Sequence, residues 1–332
     1  MRRQKGVALI LVLIILALVS IVATQLIAER NIHARRTANL LLYDNAWSYA
    51  LGAEELARIG LVELFKNVDE VTLAQPWASD GIVYPIEGGQ LSGELKDLRS
   101  CFNINAIAAG AGIDENEEQE QEEISGEEKP RPGEKIFAEL LNDLQVETDV
   151  TPEGLAARLR DWIDQDQRPA GFEGREDYEY SGYTVPYRTA DHPIVSITEL
   201  YTISGFTPEI VSLLRPYLCV IPGVTELTLN VNTIDKEHPE LLSSLYDNLD
   251  VATAQSILNA RGITGFDEET YNQQLPAEAK LRPGARVDFT SPYFRLKARV
   301  SLGKARVSLQ SLLEYQPNSK RVAVLARLGV ND

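Results

Sequence analysis

Val7-Ala-Leu-Ile-Leu-Val-Leu-Ile-Ile-Leu-Ala-Leu-Val-Ser-Ile-Val-Ala-Thr-Gln-Leu-Ile-Ala28 is an uncharged run of 22 residues directly behind the basic leader Met1-Arg2-Arg3-Gln4-Lys5-Gly6. A helix rises ~1.5 Å per residue, so the run spans roughly 33 Å and can cross the hydrocarbon core of a bilayer. A secretory signal peptide carries its cleavage site after the apolar stretch, at small residues. Here the available cut, Gly6/Val7, lies before it, so the apolar helix stays on the mature chain. Arg2, Arg3 and Lys5 mark the short N-terminal side as cytoplasmic, and the chain beyond about residue 30 faces the opposite compartment.

Outward from this run, apolar and small residues keep helical spacing at Leu40, Ala46, Tyr49, Ala50, Ala53, Leu56, Ala57 and Leu61. One helix is therefore expected from Val7 to about Phe65, its first half in lipid and its second half packed on a soluble domain. Gly81–Pro85 and Gln90–Arg99 alternate like strands around the turn Glu87-Gly88-Gly89. A helical texture then runs from Cys101 to about Pro283. Alternation returns in Phe294–Leu302, Arg306–Tyr315 and Arg321–Leu328, with turns at Gly303-Lys304 and Pro317-Asn318-Ser319. These three segments read as an antiparallel meander. The pattern predicts an α+β domain interrupted by an all-α insertion. Its divisions are a leader (1–6), a helix (7–65, with 7–28 in the membrane), a first β part (66–100), the insertion (101–284) and a closing β part (285–332).

Charge narrows the function classes. The chain carries −17 overall, but from Arg282 to the end ten Lys/Arg face three Asp/Glu, a local +7. The preceding residues hold the remaining −24, a body that repels nucleic acid phosphates and suits hard cations. Asp114–Glu128 has nine carboxylates and no basic residue. It cannot pack a core and reads as a solvated loop, with metal binding as the alternative. The two cysteines, Cys101 and Cys219, lie outside the cytoplasm on this reading. One disulfide between them is the economical expectation, and two buried thiols the alternative. The three histidines, His33, His192 and His238, form no metal-ligand pair, and no nucleophile motif or phosphate-cradling glycine loop is present. No enzyme activity is expected.

The leader, with its basic residues, glycine and apolar helix, resembles a type IV prepilin or pseudopilin signal. The resemblance implies cleavage after Gly6 by a prepilin peptidase and N-methylation of Val7. Most such proteins carry a glutamate fifth after the cut, where this chain has Leu11. Without that carboxylate the subunit cannot pair with the terminal amine of the subunit ahead, as expected at a filament tip. The insertion adds further phrases: Leu159-Arg-Asp-Trp-Ile-Asp-Gln-Asp166, Gly174-Arg-Glu-Asp-Tyr-Glu-Tyr180, Val185-Pro-Tyr-Arg188, Ser196-Ile-Thr-Glu-Leu200 and Leu214-Arg-Pro-Tyr-Leu218. Cys101-Phe-Asn-Ile-Asn105 and Leu229-Asn-Val-Asn-Thr233 complete the set. Together they resemble the type II secretion system minor pseudopilin K family.

That resemblance implies a pseudopilin fold whose insertion has helix-hairpin-helix or SAM-like character. It implies a single-pass inner-membrane protein with a periplasmic main domain, placed at the pseudopilus tip with minor pseudopilins I and J. It also implies structural Ca²⁺ in the insertion, carried here onto Asp164, Asp166, Glu176 and Asp177, with Asp161 and Asp191 as secondary candidates. By themselves these carboxylates bracket a Gly- and Pro-rich loop and suit an all-oxygen cation site, or else form a solvated acidic loop. An EF-hand is excluded, because Arg168 and Arg175 occupy its third and twelfth ligand positions. Trp162 and Ile163 read as core anchors, and Asn105 with Asn232 or Thr233 as N-caps or turn residues. The alternative is a membrane-anchored DNA-uptake protein, suggested by Ile203-Ser-Gly-Phe206 before a helix. Its turns lack the Gly-x-Gly amides and flanking cations that hold phosphate.

Overall fold

This computed structural model describes residues 5–66, 68, 70–79, 81–108 and 129–330, with backbone alone for 5, 6, 108, 329 and 330. The acidic run 114–128 and leader residues 1–4 lie outside the described residues.

Helix α1 (Lys5–Leu64) is continuous and contains a stretch of mean hydropathy 3.2, long and apolar enough to cross a membrane. Its apolar residues from Val7 to Ile32 are exposed on all sides. Further on, one side turns inward: Ala46, Ala50 and Ala53 are buried, then Leu61. These small side chains let the helix backbone approach a five-stranded antiparallel sheet of order β1-β2-β9-β10-β11. Its strands are β1 (Ile82–Ile86), β2 (Gly89–Asp97), β9 (Tyr293–Leu302), β10 (Ala305–Gln316) and β11 (Arg321–Val330). The inward residues Phe294, Leu296, Ala298, Val300 and Leu302 alternate along β9 with half-buried or exposed polar ones, as a one-sided sheet requires. Phe65, just past α1, stacks on Tyr315 with ring centroids 4.1 Å apart. Buried Glu54 accepts two bonds from Arg327 (2.8 and 2.7 Å) and one from Ser311, which pins α1 to β10 and β11.

Strands β1 and β2 precede the insertion and β9 to β11 follow it, so the sheet is closed by β2 pairing with β9, Asp97 opposite Phe294. Between those two residues lies a helical head with its own core, reaching from Phe102 to Ala285. Its helices are α2 (Pro132–Asp143), α3 (Pro152–Ile163), α4 (Asp177–Ser181), α5 (Pro208–Leu214), α6 (Glu240–Ser243), α7 (Val251–Ala260) and α8 (Glu268–Asn272). Short strand pairs tie it together: β3 (Phe102–Asn103) with β4 (Leu218–Cys219), β5 (Leu227–Asn230) with β8 (Ala285–Asp288), and β6 (Tyr246–Asp247) with β7 (Lys280–Leu281). Trp162 and Ile163 are buried in this core, as their position at the end of α3 predicts. A third cluster of Leu98, Ile221, Leu312 and the disulfide-bonded Cys101 and Cys219 joins head to sheet.

The Asn-x-Asn phrases meet expectation in part. The backbone at 231–233 does turn, but the asparagine side chains do not cap helices. Asn105 donates to the Ile194 carbonyl (3.0 Å) and accepts from its N–H (2.8 Å). Asn232 does the same to Phe266, at 2.8 and 2.6 Å. A primary amide offers one donor and one acceptor in the geometry of a peptide group, so it satisfies a buried loop residue that no strand reaches. Asn103 similarly bridges Val224 and Ile221. Gly265, at φ +81°, completes the second clamp, since a Cβ there would lie 2.8 Å from the Asn232 side chain.

Candidate metal centre

The end of α3 and the loop returning from it build the site. Thr151 caps α3 by accepting from Gly154 N–H, with Pro152 preset at the first helical position. Asp161 and Asp164 are three residues apart and share one side of this helix end. The loop 165–176 folds back over it, and Gly174 makes that possible: a Cβ there would stand 2.4 Å from Asp161 Oδ2. Glu176 then enters beside the two aspartates.

Asp161, Asp164 and Glu176 each bring an oxygen to a cluster whose atoms all lie within 4.8 Å of one another. That is about twice a calcium–oxygen distance of 2.3–2.6 Å, so a cation at the centre would reach all three. Their hydrogen bonds leave oxygens spare. Asp161 Oδ1 accepts from Ala170 N–H (2.9 Å), while Oδ2 is buried without a partner. Asp164 Oδ2 faces Arg160 at 3.3 Å and Arg131 at 3.7 Å, leaving Oδ1 orphaned. Both oxygens of Glu176 are buried and unpartnered. Burial first, then the neighbouring acids, pushes the Glu176 carboxyl up to about 8. Asp161 is raised to about 7, again chiefly by burial, and Asp164 is raised for the same reason. Carboxylates so placed either hold protons or hold a cation. An all-oxygen, high-charge set fits Ca²⁺.

The structure brings Asp164 and Glu176 together but gives the central place to Asp161, which is fully buried. Asp166 sits at the rim, accepting from Arg168 N–H at 2.9 Å. Asp177 turns away: its Oδ1 accepts from both the N–H and the hydroxyl of Thr189, each at 2.9 Å. The same hydroxyl lies 2.7 Å from Asp191 Oδ1, so its single proton serves either carboxylate and Asp177 and Asp191 gather around Thr189, apart from the cluster. The i, i+3 spacing of Asp161 and Asp164 was the available signal for the central pair.

An exposed apolar stem continuing into a helix laid on an antiparallel sheet, with a helical head grafted between paired strands, defines a minor pseudopilin. The family described as "Type II secretion system (T2SS), protein K" matches residues 100–223 and 229–285 in two parts. A type II secretion system protein K of Aeromonas hydrophila is 36% identical, covering 99% of this chain and 98% of the relative. Those of Pectobacterium carotovorum subsp. carotovorum (34%, 98% and 96%) and Klebsiella pneumoniae (32%, 99% and 97%) are also similar. A chain of the crystal structure of the GspK-GspI-GspJ complex from enterotoxigenic Escherichia coli superposes with TM-score 0.71 at 25% identity, covering 90% of this chain and 100% of its own. The chain belongs to the type II secretion system protein K family and serves protein secretion as a minor pseudopilin. None of these similarities supports the DNA-uptake alternative.

Proposed function

We propose that the chain is cleaved between Gly6 and Val7 by a prepilin peptidase, N-methylated at Val7, and held in the bacterial inner membrane by α1 with its head in the periplasm. It sits at the tip of the pseudopilus with minor pseudopilins I and J, where it starts assembly and so promotes export of folded proteins. The supporting observation is the likeness, over 90% of this chain, to one chain of the solved GspK-GspI-GspJ complex. Two features of the chain agree with a tip position. Leu11 removes the carboxylate that would reach a subunit ahead, and the head is too bulky to repeat at every step of a helical filament.

The role is structural: Ca²⁺ held by Asp161, Asp164 and Glu176, with Asp166 at the rim, fixes the loop 164–176 to α3. Binding to the folded form alone stabilises it. The orphaned oxygens of the three central carboxylates carry this assignment. We also assign helix-hairpin-helix character to the head. Supporting it are the turn at Gly205 (φ +94°) before α5 and the turn at Gly265 between α7 and α8.

Sequencing the mature N-terminus tests the anchoring: N-methylated Val7 is expected, and an intact Met1 overturns it. Co-purification of the membrane-extracted full chain with pseudopilins I and J tests the tip assignment, and loss of both partners from the wild-type preparation overturns that.

A further inference from the structure

Arg160 is buried in the head, 3% exposed, one turn before Asp164 at the end of α3. Its guanidinium meets carboxylates on two different elements. Nε stands 3.3 Å from Asp164 Oδ2, and a terminal nitrogen stands 3.3 Å from Glu134 Oε1 at the start of α2. Glu134 is fixed in turn: it is buried, and the same Oε1 accepts from the backbone N–H of Arg131 (2.9 Å). Arg131 adds a longer contact to Asp164 Oδ2, at 3.7 Å. A chain of charged groups therefore runs from the backbone of α2, through Arg160, to one oxygen of Asp164.

Asp164 is the member of the cluster that needs such support. Asp161 lies inside α3, and its Oδ1 is held by Ala170 N–H. Asp164 is where the chain leaves the helix, at φ −76° and ψ 172°, with its N–H on the Arg160 carbonyl (2.9 Å). Because Oδ2 faces two arginines, Oδ1 is the oxygen left for a cation, buried and without a partner. Charge alone argues against an arginine here, since a fixed positive group repels a divalent cation. What the arginine gives is direction. Its donors lie in one rigid plane, so anchoring that plane on Glu134 sets the angle at which it meets Asp164.

We propose that Arg160 is a positioning residue for the calcium site: anchored by Glu134, it turns Asp164 so that Oδ1 faces Asp161 and Glu176. The inference rests on the calcium assignment above. It adds that the metal is supported from α2 as well as from the loop 164–176.

The test uses the full chain in detergent micelles and terbium(III), an oxygen-binding stand-in for Ca²⁺, excited through Trp162 beside Asp161. The luminescence that Glu176→Gln abolishes belongs to the site. Calcium affinity is read by displacement of terbium, and the number of metal-bound waters by luminescence decay in H₂O and D₂O. Arg160→Lys keeps the charge but cannot span both carboxylates. It is expected to weaken calcium about tenfold and to admit about one more water to the metal, as Oδ1 swings out. Glu134→Gln keeps the oxygen that accepts from Arg131 but loosens the guanidinium, and should weaken calcium about threefold. Arg188→Gln removes an exposed charge beside Asp177 and should leave both readings unchanged. A merely structural role would lower the calcium-free Tm of Arg160→Lys yet leave affinity and water count as in wild type, which overturns the proposal. Tighter binding overturns it too, since Arg160 would then compete with the metal for Asp164. If Arg160→Lys does not fold, Glu134→Gln decides, and wild-type readings there overturn the proposal. A terbium response that Glu176→Gln leaves unchanged removes the calcium assignment and this inference with it. A response lost in Glu176→Gln but unaltered in Arg160→Lys removes the inference alone.

Discussion

Asp97 and Glu176 are both buried carboxylates, 1% and 4% exposed. Asp97, where β2 leaves the sheet, accepts from Arg99 N–H (2.8 Å), Asn230 Nδ2 (3.0 Å) and Thr233 Oγ1 (2.5 Å), with Ser291 adding a fourth bond. Glu176 accepts nothing. A buried charge is tolerable only where something compensates it. The protein supplies that compensation at Asp97 and supplies no hydrogen bond at Glu176, where the proposed Ca²⁺ would provide it. Burial and charge are alike at the two carboxylates; the count of satisfied oxygens is what distinguishes them.

The sharpest way to break this contrast is Asp97→Ala. It strands several buried donors between head and sheet and is expected to cost about 3–5 kcal/mol in urea denaturation of the full chain, equally with and without calcium. A loss that calcium repairs would make Asp97 a ligand and erase the distinction. Next in size is calcium itself. At a hundredfold excess over Kd it should stabilise the wild type by about 2.7 kcal/mol, seen as a higher Tm, and a chelator should reverse this. Glu176→Gln should lose the response; an equal rise in both proteins would remove Glu176 from the site.

The pH dependence sharpens the comparison further. Unfolded carboxyls titrate near pH 4, whereas folded Glu176 and Asp161 titrate at about 8 and about 7. Between those limits the folded form holds protons that the unfolded form has lost, so the calcium-free protein should lose stability as pH rises from about 4 through 8. Saturating calcium should flatten or invert that slope, as differential scanning calorimetry across pH would show. A calcium-free Tm that rises over this window would contradict the assignment. The smallest effect is expected from Asp177→Asn. Its amide oxygen can still accept from Thr189, so stability should change by about 0.5 kcal/mol and calcium binding by less than twofold in isothermal titration. A large loss of calcium affinity would move the site towards Asp177.

What could be read from the sequence follows from the range of the forces involved. Helix α1 and the strands were legible because periods of 3.6 and 2 are local, and both strand blocks fall within two residues or so of their expected bounds. Asp164 and Glu176 were legible as acids in a breaker-rich loop. Asp161 ranked only as a secondary candidate, since its burial depends on Ala170 and Gly174 folding back over it. Asp177 was grouped with Glu176 because they are adjacent, yet at the start of α4 Asp177 bonds Thr189 while Glu176 joins Asp161 and Asp164. Asn105 and Asn232 carry a local capping signature, but their partners Ile194 and Phe266 lie 89 and 34 residues away and leave no trace in the immediate sequence.

Asp97 and Phe294 face each other across neighbouring antiparallel strands, so the whole head is topologically one oversized hairpin loop. Closing such a loop costs entropy only with the logarithm of its length, because each doubling adds about 0.6 kcal/mol. A small filament subunit could therefore acquire a second folded body at this single point without disturbing the pairing of its strands. The same junction offers a natural cut for exchanging heads between secretion machines.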